Sequence, residues 1–374
     1  MDQTTLPRPS AQPALYDLLA RVWPTESAVV SHCIDRNMTT VAFALADGRV
    51  ALVPLADPEP PEKRIRQELD TGRSSIRPRS KALPPPTLTE PLDDGAVRLA
   101  PSNTHGFLVA GRHGQIFRLT PRGQVLRLLK GTQPVFALAS DGQGRFAIAQ
   151  ERGIVLHDED DLVPFQALPT HCRPDGLTFL PQSRRLAIAG EQALFLWQPG
   201  SPPESHAVQT DGPVICAPDE SWIGGAARDG GLWLMQLATG RVTVIGNFRA
   251  PPRSICFNTK AGAVFAAGAF RVAGWSLSDA PFDSDATGAL RSGRPGLVLT
   301  ECVAAHPSRD LVAAGMANGA VIVAQAGLPD EMMLRHATGA AVTTLGWSAC
   351  GTHLAIGTAD GEIALATFPP HLFK

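Results

Sequence analysis

The chain has 374 residues, 44% of them hydrophobic, and a net charge of −2. That is enough apolar material for two or three domains or one large repeat domain, and so small a charge gives no global pull toward nucleic acid or an anionic membrane. The sequence has no run of eighteen apolar residues, no basic-then-apolar leader and no Cys-x-x-Cys pair, which argues against a membrane span, a secreted disulfide scaffold and a zinc ribbon, and for the cytoplasm. Arginine outnumbers lysine by 28 to 5 beside abundant alanine, glycine and proline, a bias of GC-rich bacterial genomes.

In chain order, residues 1–15 read as a flexible N-terminus and 16–24 (YDLLARVWP) as a short apolar segment. From there on, pairs of short apolar strands joined by a tight turn recur: TVAFALADGRVALVPL (40–55), GFLVAGRHGQIFRL (106–119), RFAIAQERGIVLHD (145–158), RLAIAGEQALFLWQ (185–198), WIGGAARDGGLWLMQ (222–236), VFAAGAFRVAGWSL (264–277), LVAAGMANGAVIVAQ (311–325) and LAIGTADGEIALAT (354–367). Asp47-Gly48, His113-Gly114, Asn318-Gly319 and Asp360-Gly361 suit the positive φ of hairpin turns. From the second unit onward the turns recur about every 38 to 48 residues, the period of radial β-sheet repetition.

A third strand precedes most hairpins, as in 97–100, 135–140, 177–180, 254–257 and 342–347, and a fourth follows, as in 124–129 and 241–246. Four antiparallel strands per period make a propeller blade. The fold class expected is therefore all-β: a single β-propeller of four-stranded antiparallel blades over 16–374, eight by repeat count, with seven as the alternative. The chain ends soon after the third strand of its last unit, so residues 16–24 are expected to supply the missing outer strand and close the ring, removing the free edges.

The last unit resembles a WD40 repeat. His336 precedes its first strand, followed by V-x-x-L-x-W, a Gly-Thr-x-Asp-Gly turn and I-x-L. In that family the upstream His, a hydroxyl, the turn Asp and the repeat Trp form a hydrogen-bonded set that stiffens the blade. The resemblance assigns these roles to His336, Thr358 and Asp360, while Ala366 fills the Trp position. Trp197 is followed by Gln198, and Trp275 by Ser276, so period and pattern carry the resemblance over roughly residues 20–368.

Residues 57–95 interrupt the period. Proline brackets a basic middle, with seven basic and two acidic residues from Lys63 to Lys81, and the stretch is expected to be disordered. Its basic residues, Arg64, Arg66, Arg73, Arg77 and Arg79 among them, make it either a solvated loop or a docking arm for an acidic partner. No aromatic interleaves the charges, which argues against nucleic acid. The turns between second and third strands share one face of the disc and carry Arg112, Arg152, Arg228 and Arg271. The linkers entering each blade open on that face with His171, Arg173, Arg253 and Arg335. Together they suggest a ring for an anionic partner. The insertion 278–296 carries no chemical signature.

Cys33, Cys216, Cys256 and Cys302 fall in or near the first strands, which line the channel, with His32 and His306 beside them. They are weak candidates for zinc, since cysteine is also a favoured small core residue. The run 157-HDEDD-161 reads as a solvated turn or a cation site. No nucleophile elbow, P-loop, HExxH or dinucleotide fingerprint appears. The sequence thus predicts a monomeric, non-catalytic protein-interaction scaffold without cofactor that binds protein partners through its loop faces. A zinc-linked accessory protein is the alternative, and a propeller hydrolase or lyase the third reading.

Overall fold

A computed structural model describes residues 14–67, 74–103, 106–131, 133–162, 164–169, 173–190, 192–246 and 248–373. It is a β-propeller of eight four-stranded antiparallel blades. The inner strands of blades 1 to 8 are Val29–Ile34, Arg98–Pro101, Ala137–Ser140, Gly176–Phe179, Thr210–Cys216, Ile255–Asn258, Thr300–Ala305 and Val342–Trp347. The eight-unit reading holds, and the alternative of seven does not.

Each blade shows how a sandwiched sheet reads in sequence. The second strands, such as Thr40–Leu45 and Trp222–Ala227, are buried at every position. A blade is covered on both faces by its neighbours, so the usual in-out alternation disappears and a continuous apolar run remains. Outer strands such as Val125–Lys130 are mostly exposed. Residues of adjacent blades form shared cores. Phe43 and Val53 of blade 1, for example, pack with Ala355 and Ile363 of blade 8. Trp197 and Trp233 are wholly buried in such cores.

The ring closes as the sequence predicts. Ala20–Pro24 is the outer strand of blade 8, running antiparallel to Glu362–Thr367 with Ala20 opposite Ala366 and Pro24 opposite Glu362. Of the stretch expected to be flexible, residues 1–13 lie outside the described residues, while Leu15–Leu19 is a short helix. That helix places Tyr16 so that its hydroxyl donates to Glu362 Oε1 at 2.8 Å. Arg335, only 2% exposed, ends blade 7 with its Nη2 3.0 Å from the same oxygen and its guanidinium 5.6 Å from the Tyr16 ring centre. Burial and the Glu362 carboxylate push the Tyr16 phenol far above its usual pKa.

Residues 57–95, expected to be disordered, contain a turn of helix, Pro61–Arg64, and a two-stranded ribbon, Ile65–Gln67 with Ser74–Ile76. Thr87–Leu88 then forms the outer strand of blade 1. The physical reason lies at the closure. Arg21 of the closing strand donates to the carbonyls of Pro54, Leu55 and Ala56 at 2.8 to 3.1 Å. Its Nε lies 3.9 Å from Asp57, which also takes two hydrogen bonds from Arg79. Arg64 bonds the carbonyls of Leu18, Glu59 and Arg77, and Trp23 Nε1 donates to Pro84 O at 2.7 Å. The insertion is strapped over the closing strand.

Candidate functional site

The turn-and-linker face is built by backbone hydrogen bonds. In blade 1 the turn carbonyl of Gly48 accepts Leu92 N–H of the linker to blade 2 at 3.0 Å. Arg112 O accepts Val135 N–H (3.2 Å), Ala269 O accepts Thr300 N–H (2.9 Å), and Asn318 O accepts Thr338 N–H (3.0 Å). Gly361 O accepts Thr25 N–H (2.7 Å), which carries the pattern across the closure. The approach explains the turn glycines: at Gly48, φ is +84° and a Cβ would lie 2.0 Å from Asp93 O. In these five blades the turn supports the linker to the next blade.

The arginines expected on this face divide. Arg112, Arg152, Arg228 and Arg271 are all exposed on turns of four different blades. Arg112, Arg152 and Arg271 make no ion pair among the described residues. Arg335 is a correction: it is buried at the closure and also bonds Gly319 O, so it is not available to a partner. The basic arm is corrected likewise. Arg64 is 5% exposed and Arg79 is engaged by Asp57, leaving the side chains of Arg66 and Arg77 exposed. Arg73 and His171 lie outside the described residues. Arg173 pairs with Asp175 at 2.9 Å and lies 4.9 Å from the Phe136 ring centre. Arg253 is exposed.

At the axis, inner strands of blades 1 to 5 surround a cavity of about 430 Å³, lined by Val30, Arg98, Phe136, Asp175 and Pro213 among others. Arg98 Nε donates to Phe136 O at 2.6 Å, and burial lowers the Arg98 pKa. The position of Arg98, at the start of an inner strand, is the signal that could have marked it in the sequence.

The candidate thiols stand apart from one another. Among the described residues no three of Cys33, Cys216, Cys256, Cys302, His32 and His306 bring ligand atoms together. Burial pushes the Cys33, Cys216 and Cys256 thiols up to about 12 and raises Cys302 as well, so the free thiols stay protonated and unreactive. Cys302 Sγ lies 3.5 Å from Val342 O, and His32 Nδ1 is bonded to Thr344 Oγ1 at 2.6 Å. Cys172 is outside the described residues. Asp93, Asp94 and His113 do converge on the loop face, with His113 Nε2 3.2 Å from Asp94, and their ligand atoms lie within 4.8 Å of one another. Asp93 is already engaged by the backbone N–H of Asp94 and of His113.

The repeat-type hydrogen-bond set is partial. Thr358 Oγ1 donates to Asp360 Oδ1 at 2.5 Å and accepts Glu362 N–H at 2.9 Å. His336 is exposed and makes no hydrogen bond to Asp360. Its neighbour Arg335 instead links the outer strand of blade 7 to the turn. In 157-HDEDD-161, Glu159 is 1% exposed, contrary to a solvated turn. It accepts Ser102 Oγ (2.7 Å) and Asn103 N–H, joining blade 3 to blade 2. The insertion 278–296 has a similar structural use: Asp285 accepts Trp275 Nε1 through its carbonyl and Gly246 N–H through its carboxylate.

The family model described as the anaphase-promoting complex subunit 4 WD40 domain matches residues 303–368, from the inner strand of blade 7 through the third strand of blade 8. No curated protein matches the chain. Among solved structures, the C-terminal WD40 domain of Sif2 superposes with a TM-score of 0.65 at 13% identity, covering 94% of this chain and 99% of that one. The RRP9 WD40 repeats give 0.53 at 15% identity, with 96% and 99% covered, and U3-55K gives 0.52 at 15%, with 94% and 98% covered. At these identities the likeness is one of fold.

Proposed function

We propose that this chain, a WD40-type β-propeller, is a non-catalytic scaffold that binds protein partners through its turn-and-linker face. The observation that carries this reading is the pairing of a rigid surface with unneutralised arginine. The turns of blades 1, 2, 5, 6, 7 and 8 are tied to linkers by backbone hydrogen bonds, and Arg112, Arg152 and Arg271 are exposed on the same face without an ion pair among the described residues. A preorganised surface loses little conformational entropy on binding. Guanidinium groups free of intramolecular partners can meet carboxylates with paired N–H donors. The solved propellers of the same fold, the RRP9 and U3-55K structures among them, are compatible with such a role.

The reading places the protein in a complex and assigns it no reaction. No helix of the chain is long and apolar enough to cross a membrane. The test is affinity capture from native extract with the full chain and with a variant carrying Arg112→Ala, Arg152→Ala, Arg228→Ala and Arg271→Ala. Partner recovery should fall at least tenfold with the melting temperature unchanged. Equal recovery by both proteins would remove the arginine face from the binding role.

A further inference from the structure

The loop face is not uniform. Three segments meet over blades 6 and 7: the linker 248–253, the turn 267–271 and the linker 293–299. Arg249 and Ala250 N–H both donate to Gly268 O (2.9 and 3.1 Å). Gly296 N–H donates to Phe270 O (2.9 Å), and Thr300 Oγ1 to Arg271 O (3.2 Å). The turn is thus held between the two linkers, and what it presents departs from the other turns. Where blades 1 and 8 carry Asp-Gly, blade 6 carries Phe270-Arg271.

Phe270 is 42% exposed, and Leu297, on the adjoining linker, is 95% exposed, the largest value among the exposed large hydrophobics of the described residues. Pro251 and Pro295 are exposed beside them. Around this apolar centre stand Arg249, Arg253, Arg271 and Arg294, all exposed and none in an ion pair among the described residues. Two carboxylates at the rim are turned to backbone donors, Glu331 to Arg294 N–H at 2.8 Å and Asp285 to Gly246 N–H at 3.0 Å. In a chain of net charge −2, four unneutralised cations around exposed leucine and phenylalanine are a local arrangement.

We propose that this patch is the docking site for an acidic peptide segment of a partner protein, anchored by an apolar side chain between Phe270 and Leu297. The inference rests on the loop face being the binding face and narrows it to one place and one chemistry. The apolar anchor supplies desolvated contact area, which guanidinium groups alone lack. The four arginines select aspartate and glutamate around it and steer the approach. The two prolines restrict the linker backbones, so the rim is preformed. A nucleic-acid strand would supply the charge, but the patch gives its bases one exposed ring, Phe270, instead of a row of stacking platforms, and leaves Leu297 without an apolar partner.

The test is selection of a random dodecapeptide display library on the full-length protein, followed by affinity measurement of the enriched synthetic peptides. Enriched peptides should carry a leucine, isoleucine or phenylalanine flanked by aspartate or glutamate. Leu297→Ser should weaken them at least tenfold, as should Phe270→Ser. A variant with Arg249→Gln, Arg253→Gln, Arg271→Gln and Arg294→Gln should do the same and flatten the dependence on salt. Leu297 contacts so little of the fold that its replacement leaves stability intact, which a melting curve checks. Peptides that bind all these variants equally, yet are lost on Arg112→Ala with Arg152→Ala and Arg228→Ala, would overturn the patch and keep the face. Peptides indifferent to both sets would overturn both readings. No enrichment, or enrichment without acidic residues, would overturn the patch as a peptide site.

Discussion

The closure of the ring and the surface over blades 6 and 7 are both rich in arginine, and they use it in opposite ways. At the closure Arg21, Arg64 and Arg335 are 3%, 5% and 2% exposed and are engaged by backbone carbonyls and, for Arg21 and Arg335, by a nearby carboxylate. On the loop face Arg249, Arg253, Arg271 and Arg294 are exposed, with no ion pair among the described residues. A guanidinium with five donors can cross-link several backbone carbonyls when buried, and a chain closing on itself offers such carbonyls at strand ends. The same group left in water stays available to a partner. Residue type alone therefore does not separate a structural arginine from a binding one; the number of neighbouring acceptors does.

The sharpest way to break the contrast is to truncate on the buried side. Arg21→Ala leaves the carbonyls of Pro54, Leu55 and Ala56 without their donor and removes one of the two cations beside Asp57, which keeps its hydrogen bonds from Arg79. It should cost about 3–5 kcal/mol, mostly from the unsatisfied carbonyls, read as a shift of the urea or thermal midpoint. Arg335→Ala should act in the same direction by freeing the Glu362–Tyr16 contact.

Acid should weaken the closing blades next. Burial lowers His32 and His353 to about 4, the latter aided by the Arg21 charge. The unfolded histidines take up protons near pH 6.5 while the folded ones do so only near 4. Their contribution is thus complete above about 6.5 and lost as pH falls toward 4, at a slope of up to about 1.4 kcal/mol per pH unit for each. His353→Gln should flatten the melting-temperature profile over that window and leave it unchanged above pH 7.

A smaller effect is expected at Gly346, where a Cβ would stand 1.8 Å from His32 Nε2. Gly346→Ala should cost about 1–3 kcal/mol, because the blade 8 and blade 1 inner strands must separate, and calorimetry measures it. The smallest effect belongs to the loop face. Replacing Arg249, Arg253, Arg271 and Arg294 with Gln should move stability by less than about 0.5 kcal/mol while changing peptide affinity, which places their use outside the fold.

Much of this was legible in the chain. The unit 354–367 already shows strand, Asp-Gly turn and strand, and the missing outer strand after it made 16–24 the closing element, as Ala20–Pro24 proves to be. Short apolar runs, turn chemistry and a long period are properties of neighbours in sequence, so they can be read there. The insertion was misread because proline and charge usually signal a solvated loop. Asp57 pairs with Arg79 inside the insertion, and Arg21 of the closing strand joins them from the other end of the chain's fold, a contact no local pattern announces. Glu159 was misread in the same way, since its partners Ser102 and Asn103 belong to the preceding blade.

The candidate site divides along the same line. That Arg112, Arg152, Arg228 and Arg271 share a face follows from strand order, since every second-to-third-strand turn of a propeller points the same way. That Phe270 and Leu297 stand together does not, because twenty-six residues and the third and outer strands of blade 6 separate them, and hydrogen bonds such as Gly296 N–H to Phe270 O bring the turn and the linker together. The sequence by itself determined the blade, the period, the count and the closure, all set by short-range pattern and chain order. The tertiary structure alone decided which charges are neutralised and which apolar side chains are left in water, because both depend on the groups that other blades bring alongside.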